Sequence, residues 1–304
     1  MHDYYYKFST YLKKTYGQKV WKISLDAGLS CPNRTEKGQE GCTFCRNDSF
    51  SQMQSLKNLS IKQQVRDGIE RARKYHHINK YLVYFQSSTN TFAPSEKLRK
   101  LYKEALVDEN VVGISISTRP DCLSNDVLSI LSDVAQETDV WIELGLQSSH
   151  NRSLEILNRG HTVEDYLDAI EKLKYLPLRI CTHIMIGLPF EDEKDYHETA
   201  EFIARTETHE VKIHPLLVLK NTPLADDYHK SKFDSFTLDN YSRYAVDFLE
   251  NIPPTMVIQR LTAEAPDEIL VQPRWALDKL AVLNQIKNEF RKRGTYQGSR
   301  FVSG

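Results

Sequence analysis

Six short runs of apolar and β-branched residues, at 20–25, 81–86, 111–117, 140–147, 180–187 and 211–219, alternate with polar-faced helical stretches at 61–77, 95–107, 125–137, 163–174 and 194–206. Runs of that length between polar segments read as buried strands. Strand, helix and strand at a spacing of roughly 30 residues predict right-handed crossovers and a parallel sheet. Six such units are too few to close an eight-stranded barrel, but they suffice for an open, curved one with a lateral gap for a large substrate. The expected fold class is therefore α/β, a partial (β/α)6 TIM-type barrel with a C-terminal helical extension. A flat doubly wound sheet is the rival. The extension begins after the sixth strand, with a helical stretch at 238–251, a break at Pro253 and Pro254, an apolar run at 255–261 and a final helix at 275–293. The organisation reads as an N-terminal basic and aromatic segment at 1–18, a core barrel at 19–235 and a cap at 236–304.

A parallel strand covered on both sides should be apolar on both faces. Here one face is not. In the fourth run, Val140, Ile142, Leu144 and Leu146 share one face, while Glu143, Gly145 and Gln147 share the other. The same split places Lys22, Ser24, Gln86, Ser115, Ser117, Arg119, His183, Met185, Lys212 and His214 opposite the helix-facing residues. Buried polar groups can satisfy one another structurally, but their recurrence on every strand favours a polar lumen that binds a ligand. Histidine titrates near neutrality, so His183 and His214 are candidate acids or bases, with Lys212 beside them.

Lys and Arg total 40 against 41 for Asp and Glu, a net charge of -1 that gives no global attraction to nucleic acid or acidic lipid. No apolar signal core opens the chain and no stretch approaches the roughly 20 apolar residues of a membrane span, so a soluble, cytoplasmic protein is expected. Five cysteines are an odd number, and three of them crowd into one short loop. That distribution favours metal ligation over a disulfide framework.

The loop reads C-P-N-R-T-E-K-G-Q-E-G-C-T-F-C from Cys31 through Cys42 to Cys45, directly after the first strand. Three thiolates can hold three irons of a cubane cluster and leave the fourth open. An open iron can bind the amino and carboxylate groups of S-adenosylmethionine (SAM), whereas a fully ligated cluster only shuttles electrons. The alternative is a zinc knuckle, completed by a histidine such as His76 or His77. Cys122 and Cys181 are isolated and receive no role.

With Phe44 before the last cysteine and the segments that end the strands, this loop resembles the radical SAM superfamily. Its ten-residue first gap is similar to that of the YhcC/YtqA-like subgroup related to the Elongator catalytic subunit, and the resemblance covers nearly the whole chain. It implies a 4Fe-4S cluster on Cys31, Cys42 and Cys45. Segment 86–91 occupies the place where family members contact the SAM amino group, through Gln86 here, although the family's glycines and glutamate are missing. Ser117 and Arg119, in S-T-R-P-D, resemble a segment of the Elongator-like group. Glu143 and Gln147 resemble a ribose-contact motif, and Asn158-Arg159-Gly160-His161 resembles a family turn that brings Arg159 to the cofactor. Segment 183–189 is similar to an adenine-supporting strand, with His183 replacing its first glycine.

The resemblance further implies one-electron reduction of SAM to methionine and a 5'-deoxyadenosyl radical that abstracts hydrogen from substrate. For the YtqA-like branch it implies a tRNA wobble uridine as that substrate, with 5-carboxymethylaminomethyl(-2-thio)uridine converted to its 5-aminomethyl form. The partners it implies are tRNA, a one-electron reductant of flavodoxin or ferredoxin type and a downstream tRNA methyltransferase. A radical enzyme acting on a small metabolite or protein, and a zinc-binding RNA adaptor, are the competing readings. Aromatic and basic residues at both ends, Tyr4, Tyr5, Tyr6, Lys7, Phe8, Tyr11, Lys13 and Lys14 with Lys287, Arg291, Lys292, Arg293 and Arg300, are candidates to grip RNA at the barrel mouth.

Overall fold

A computed structural model describes residues 3–34, 41–46, 56, 59–86 and 88–302. The six expected strands form: β1 (Trp21–Leu25), β2 (Tyr81–Phe85), β3 (Val111–Thr118), β4 (Asp139–Gln147), β5 (Arg179–Ile186) and β6 (Glu210–Pro215). They pair in parallel in sequence order. Helices α1 (Phe8–Tyr16), α2 (Ile61–His76), α3 (Ser95–Ala105), α4 (Asn125–Ala135), α5 (Asn151–Ile156), α6 (Val163–Leu173) and α7 (Glu193–Ala204) precede or connect them. The helix starts follow local chemistry. Ser124 caps α4 by accepting from Val127 N, and Thr162 with Asp165 forms a reciprocal capping box on α6. Asp121, in the loop before α4, pairs with Arg119 at 2.9 Å.

The apolar strand faces, including Val83, Ile116, Ile142, Leu144, Ile184 and Ile213, join the inner faces of the helices in one continuous core. Helix α2 lies so close to β1 that a Cβ on Gly68 would fall 2.4 Å from Ile23 Cγ2.

Curvature of the sheet decides between barrel and flat sheet. Strands lie about 4.8 Å apart, so in a flat sheet β1 and β4 would be separated by roughly 14 Å. Yet Lys22 Nζ on β1 lies 3.1 Å from Glu143 Oε1 on β4. The sheet is a half-barrel with its polar face inward.

Downstream come β7 (Val218–Leu219), α8 (Pro223–His229), α9 (Leu238–Glu250), β8 (Val257–Arg260), β9 (Leu270–Gln272), a 3-10 turn at Arg274–Leu277 and α10 (Lys279–Arg293). The run at 255–261, read from sequence as part of the cap, supplies β8, which pairs in parallel with β6 as the seventh strand of the barrel. A four-residue strand followed by an irregular loop carries no helix to complete a βα unit, which is why periodicity alone set it aside. β7 and β9 form a separate antiparallel ribbon.

The N-terminal aromatics do not line the mouth. Phe8 is buried against Trp141 at 6.2 Å, Tyr4 stacks on Phe290 at 5.4 Å, and Arg179 lies 4.4 Å over Tyr11. Phe8, Tyr11 and Trp141 cluster with Leu82 and Val257 and close the barrel at the amino ends of the strands, opposite the cysteine loop. At the other terminus, Arg293 is paired with Glu289 and Glu250, and Arg300 with Glu250 and Asp247. The expectation that both ends grip RNA at the mouth is corrected for Tyr4, Phe8, Tyr11, Arg293 and Arg300, which hold the floor and the C-terminal helix in place. No helix among the described residues is long and apolar enough to cross a membrane.

Candidate active site

The cysteine loop leaves the carboxyl end of β1 and docks on the turn after α5. Asn33 Nδ2 donates to Asn158 O at 2.6 Å, Asn158 Nδ2 to Gly41 O at 2.7 Å, and Thr43 N to Leu157 O at 2.9 Å. Gly160 at φ +64° allows this approach, because a Cβ there would meet Asn33 Oδ1 at 2.4 Å. The Asn158–His161 turn is therefore the clamp on the cysteine loop. Its Arg159 donates through Nη1 to Cys42 Sγ at 3.0 Å and through Nη2 to Gly145 O at 2.7 Å.

Cys42 is buried and Cys31 and Cys45 are half-buried, and all three line one cavity at the carboxyl ends of the strands. The donor set fits a cluster better than a single ion. Four thiolates around one zinc stand about 3.8 Å apart, from a Zn–S bond of about 2.3 Å. Among the described residues, the set of His, Cys, Asp and Glu ligand atoms mutually within 4.8 Å is His150, Asp195 and Glu198, not the cysteines. The histidines that a zinc knuckle needs are also elsewhere. His76 stacks at 3.9 Å on Trp21, at the start of β1 and a full strand away from the loop, and His77 is the exposed C-cap of α2.

Beneath the loop, Glu143 is fully buried and gathers groups from four other strands. Lys212 donates to its Oε2, Lys22 to Oε1 at 3.1 Å, and Ser115 to Oε1 at 2.6 Å, while His183 Nε2 lies 2.8 Å from Oε2. Tyr84 joins through Lys212 at 3.2 Å and Ser117 at 2.8 Å. Burial alone would raise the Glu143 carboxyl, but Lys212, Lys22 and His183 overcome it and hold the group well below its usual range. Burial, reinforced by the charge of Lys212, lowers His183 to about 4. His214, half-buried on β6, is also held well below its ordinary value, first by the cost of charging it away from water and then by Arg260, His183 and Lys212. Both imidazoles are thus neutral near pH 7.

The lumen brings together Gln86, Ser117, Glu143, Gln147, His183 and His214 with the cysteines. Lys212 stands beside them on β6, hydrogen-bonded to Tyr84 and Glu143. Arg119 reaches the cavity, but its fork is engaged by Asp121 through two bonds of 2.9 Å, and its Nη1 donates to Arg159 O. Within the segment after β2, Asn90 and Thr91 are structural, tying Phe85 O, Ser117 O, Thr118 and Cys122 O together. Gln147, which lines the cavity, adopts φ +83°, and among the described residues its buried Oε1 has no hydrogen-bond partner. Tyr84 and Arg260 are among the lining residues that the sequence does not announce. Tyr84 hides in an apolar strand, and Arg260 lies in the run assigned to the cap.

Comparison with known proteins agrees with this geometry. The family description Radical SAM superfamily matches residues 31–203, and Radical_SAM C-terminal domain matches 208–292. The uncharacterized protein YtqA of Bacillus subtilis is 39% identical over 98% of this chain and 92% of its own length. The tRNA uridine(34) acetyltransferase of Methanocaldococcus jannaschii is 28% identical over 58% of this chain and 32% of its own. Among solved structures, archaeal Elp3 of Methanocaldococcus infernus superposes with a TM-score of 0.72 at 19% identity, over 91% of this chain and 64% of that one. The chain belongs to the radical SAM superfamily, in the YhcC/YtqA-like subgroup related to Elongator, and is a radical SAM enzyme whose cofactors are a 4Fe-4S cluster and SAM.

Proposed function

We propose that this enzyme modifies tRNA, converting 5-carboxymethylaminomethyl(-2-thio)uridine at the wobble position to 5-aminomethyl(-2-thio)uridine. The observation that carries this reading is the charge of the lumen: two lysines, Lys22 and Lys212, converge on the single carboxylate of Glu143 beneath the cysteines. An anionic side chain entering from the mouth meets a cationic floor. A relative that acts on tRNA uridine 34 supports the choice of polymer and position.

In this reading Cys31, Cys42 and Cys45 hold the cluster, whose chemistry with SAM supplies a 5'-deoxyadenosyl radical. Arg159 fixes the loop and donates to Cys42. Gln86, Ser117 and Gln147 offer polar contacts to SAM from the ends of β2, β3 and β4. Arg119 acts through Arg159 O, keeping the clamp turn in place. The network of Glu143, Lys212 and His183 holds a fixed set of donors at the lumen floor, so the target C–H bond is positioned without reorganisation. Loss of a hydrogen atom and one electron from the carboxymethyl carbon would leave an imine that water splits into the aminomethyl base and a two-carbon oxo acid. A one-electron reductant of flavodoxin or ferredoxin type would supply the electron that starts the cycle, and the electron lost from the substrate would return to the cluster. A tRNA methyltransferase is the expected successor.

Mass analysis of tRNA nucleosides from a deletion strain tests the assignment. The carboxymethylaminomethyl nucleoside should accumulate at the expense of the aminomethyl form and its derivatives. Unchanged wobble uridines would refute it. Anaerobic incubation with SAM and wild-type tRNA, following 5'-deoxyadenosine and nucleoside mass together, separates this activity from one on a metabolite or protein.

A further inference from the structure

Among the described residues, five cations around the lumen have an anionic or sulfur partner, and Arg46, which lines the same cavity, donates to Lys220 O at 2.9 Å. Lys22 and Lys212 meet Glu143, Arg119 meets Asp121, Arg179 meets Glu210 at 2.6 Å, and Arg159 meets Cys42. Arg260 differs from these. Among the described residues no carboxylate pairs with its guanidinium, and its buried Nε has no hydrogen-bond partner. Of the two acids that line the same cavity, Glu143 is taken up by the lysines, and Glu264 is bound to Lys279 at 2.8 Å and feels Arg260 only as a further charge.

Arg260 reaches the lumen because the β6–β8 register slips between Val211 and Lys212, so that it lies across from Lys212 while Gln259 is passed over. Gln259 already points inward, donating to Glu210 Oε2 at 2.6 Å. The slip brings the next residue to the cavity as well. Arg260 shares that cavity with the cysteines, Glu143, His183 and His214. The two histidines and Tyr84 each feel its charge. A guanidinium is permanently charged and presents a planar fork that matches a carboxylate with two parallel bonds. A buried donor left unpaired by the protein is a vacancy that a ligand can fill.

We propose that Arg260 is the anchor for the carboxylate of the substrate side chain, holding the carboxymethyl end of the modified base at the lumen floor. This rests on the wobble-uridine reading above. It makes Arg260 a specificity-determining residue, because without a carboxylate to bind, its fork stays unsatisfied.

The test compares reconstituted wild-type enzyme with R260Q and R260K under anaerobic conditions. Anticodon stem-loops carrying 5-carboxymethylaminomethyluridine or 5-aminomethyluridine at the wobble position are titrated. The wild type should prefer the carboxylate-bearing loop by at least about tenfold, R260Q should prefer it by less than about twofold, and R260K should lie between them. SAM affinity, measured on the same samples, should be equal in all three proteins. A preference retained by R260Q overturns the proposal. An equal loss for both loops assigns the fork to a backbone phosphate, and a loss of SAM affinity assigns it to the cofactor; either result overturns it too.

A second arm needs no tRNA. N-methylglycine reproduces the amine and carboxylate of the side chain, and saturation-transfer NMR should detect its binding to wild type but not to R260Q, with methylamine silent in both. Arg260-dependent binding of N-methylglycine with no discrimination between stem-loops would keep the carboxylate site and discard tRNA as the substrate. Absence of N-methylglycine binding to wild type would overturn the site itself.

Discussion

Arg159 places one guanidinium nitrogen 3.0 Å from Cys42 Sγ and the other 2.7 Å from the carbonyl of Gly145, tying the metal-binding loop to the end of β4 through one side chain. A cationic donor at a ligand sulfur favours the more negative, reduced state of an iron-sulfur cluster. R159Q should therefore move the midpoint potential of the reconstituted cluster to more negative values, as read by an EPR-monitored redox titration. An unchanged midpoint in a variant that retains full iron content would show that the contact does not reach the cluster.

The cysteines divide into two groups by position. Cys31, Cys42 and Cys45 face the common cavity, whereas Cys181 is fully buried in β5 and Cys122 lies in the loop after β3, its thiol pushed up to about 12 by burial and by Asp121. Serine at any of the first three positions should remove the visible absorption and most of the iron of anaerobically reconstituted protein, and with them SAM cleavage. C122S and C181S should retain all three properties. Loss of iron in C122S would bring a fourth cysteine into the site.

Glu143 is the point on which the lumen floor depends. Its replacement by glutamine leaves Lys212, with only 4% of its side chain exposed, without a counter-charge. Removing one partner of a buried pair costs about 3–5 kcal/mol. Chemical denaturation of E143Q should show a loss of that order, and E143Q/K212M should recover part of it, with a coupling energy of about 1–3 kcal/mol. Additive effects would mean that the two side chains do not interact in solution.

Much of this architecture is legible in the sequence because its signals are local. Val140, Ile142 and Leu144 announce one face of β4 and Glu143 and Gln147 the other, and the long strands other than the apolar β2 repeat that contrast. What is not local is not legible. Nothing in the spacing of Lys22, Glu143 and Lys212 says that β1, β4 and β6 curl until these side chains meet. Arg260 escaped for a second reason: its strand has four residues, and alternation counted along it gives the wrong face once the register slips. The N-terminal aromatics misled in the opposite sense, since the same rings that stack on bases also fill a barrel floor. Their sequence cannot distinguish the two uses, whereas Phe8 against Trp141 can.

The depressed His183 predicts how stability responds to acid. Its ring faces Glu143 at 2.8 Å, His214 at 6.2 Å between ring centres, and the charges of Lys212 and Arg260. Its ordinary value of 6.5 applies in the unfolded chain and about 4 in the folded one. Above 6.5 neither state is protonated, so the residue has no effect on the folding equilibrium. Between 6.5 and 4 the unfolded chain binds a proton that the folded one refuses, so stability falls as pH falls. Linkage over this window gives a loss of about 2 kcal/mol between pH 7 and pH 5 from this residue. H183Q lacks the titrating group while keeping a donor for Glu143. Urea denaturation of both proteins at pH 7, 6 and 5 should therefore show the variant losing about 2 kcal/mol less than wild type over that range. Parallel curves would mean that the His183 ring takes up its proton as readily in the folded lumen as in the unfolded chain.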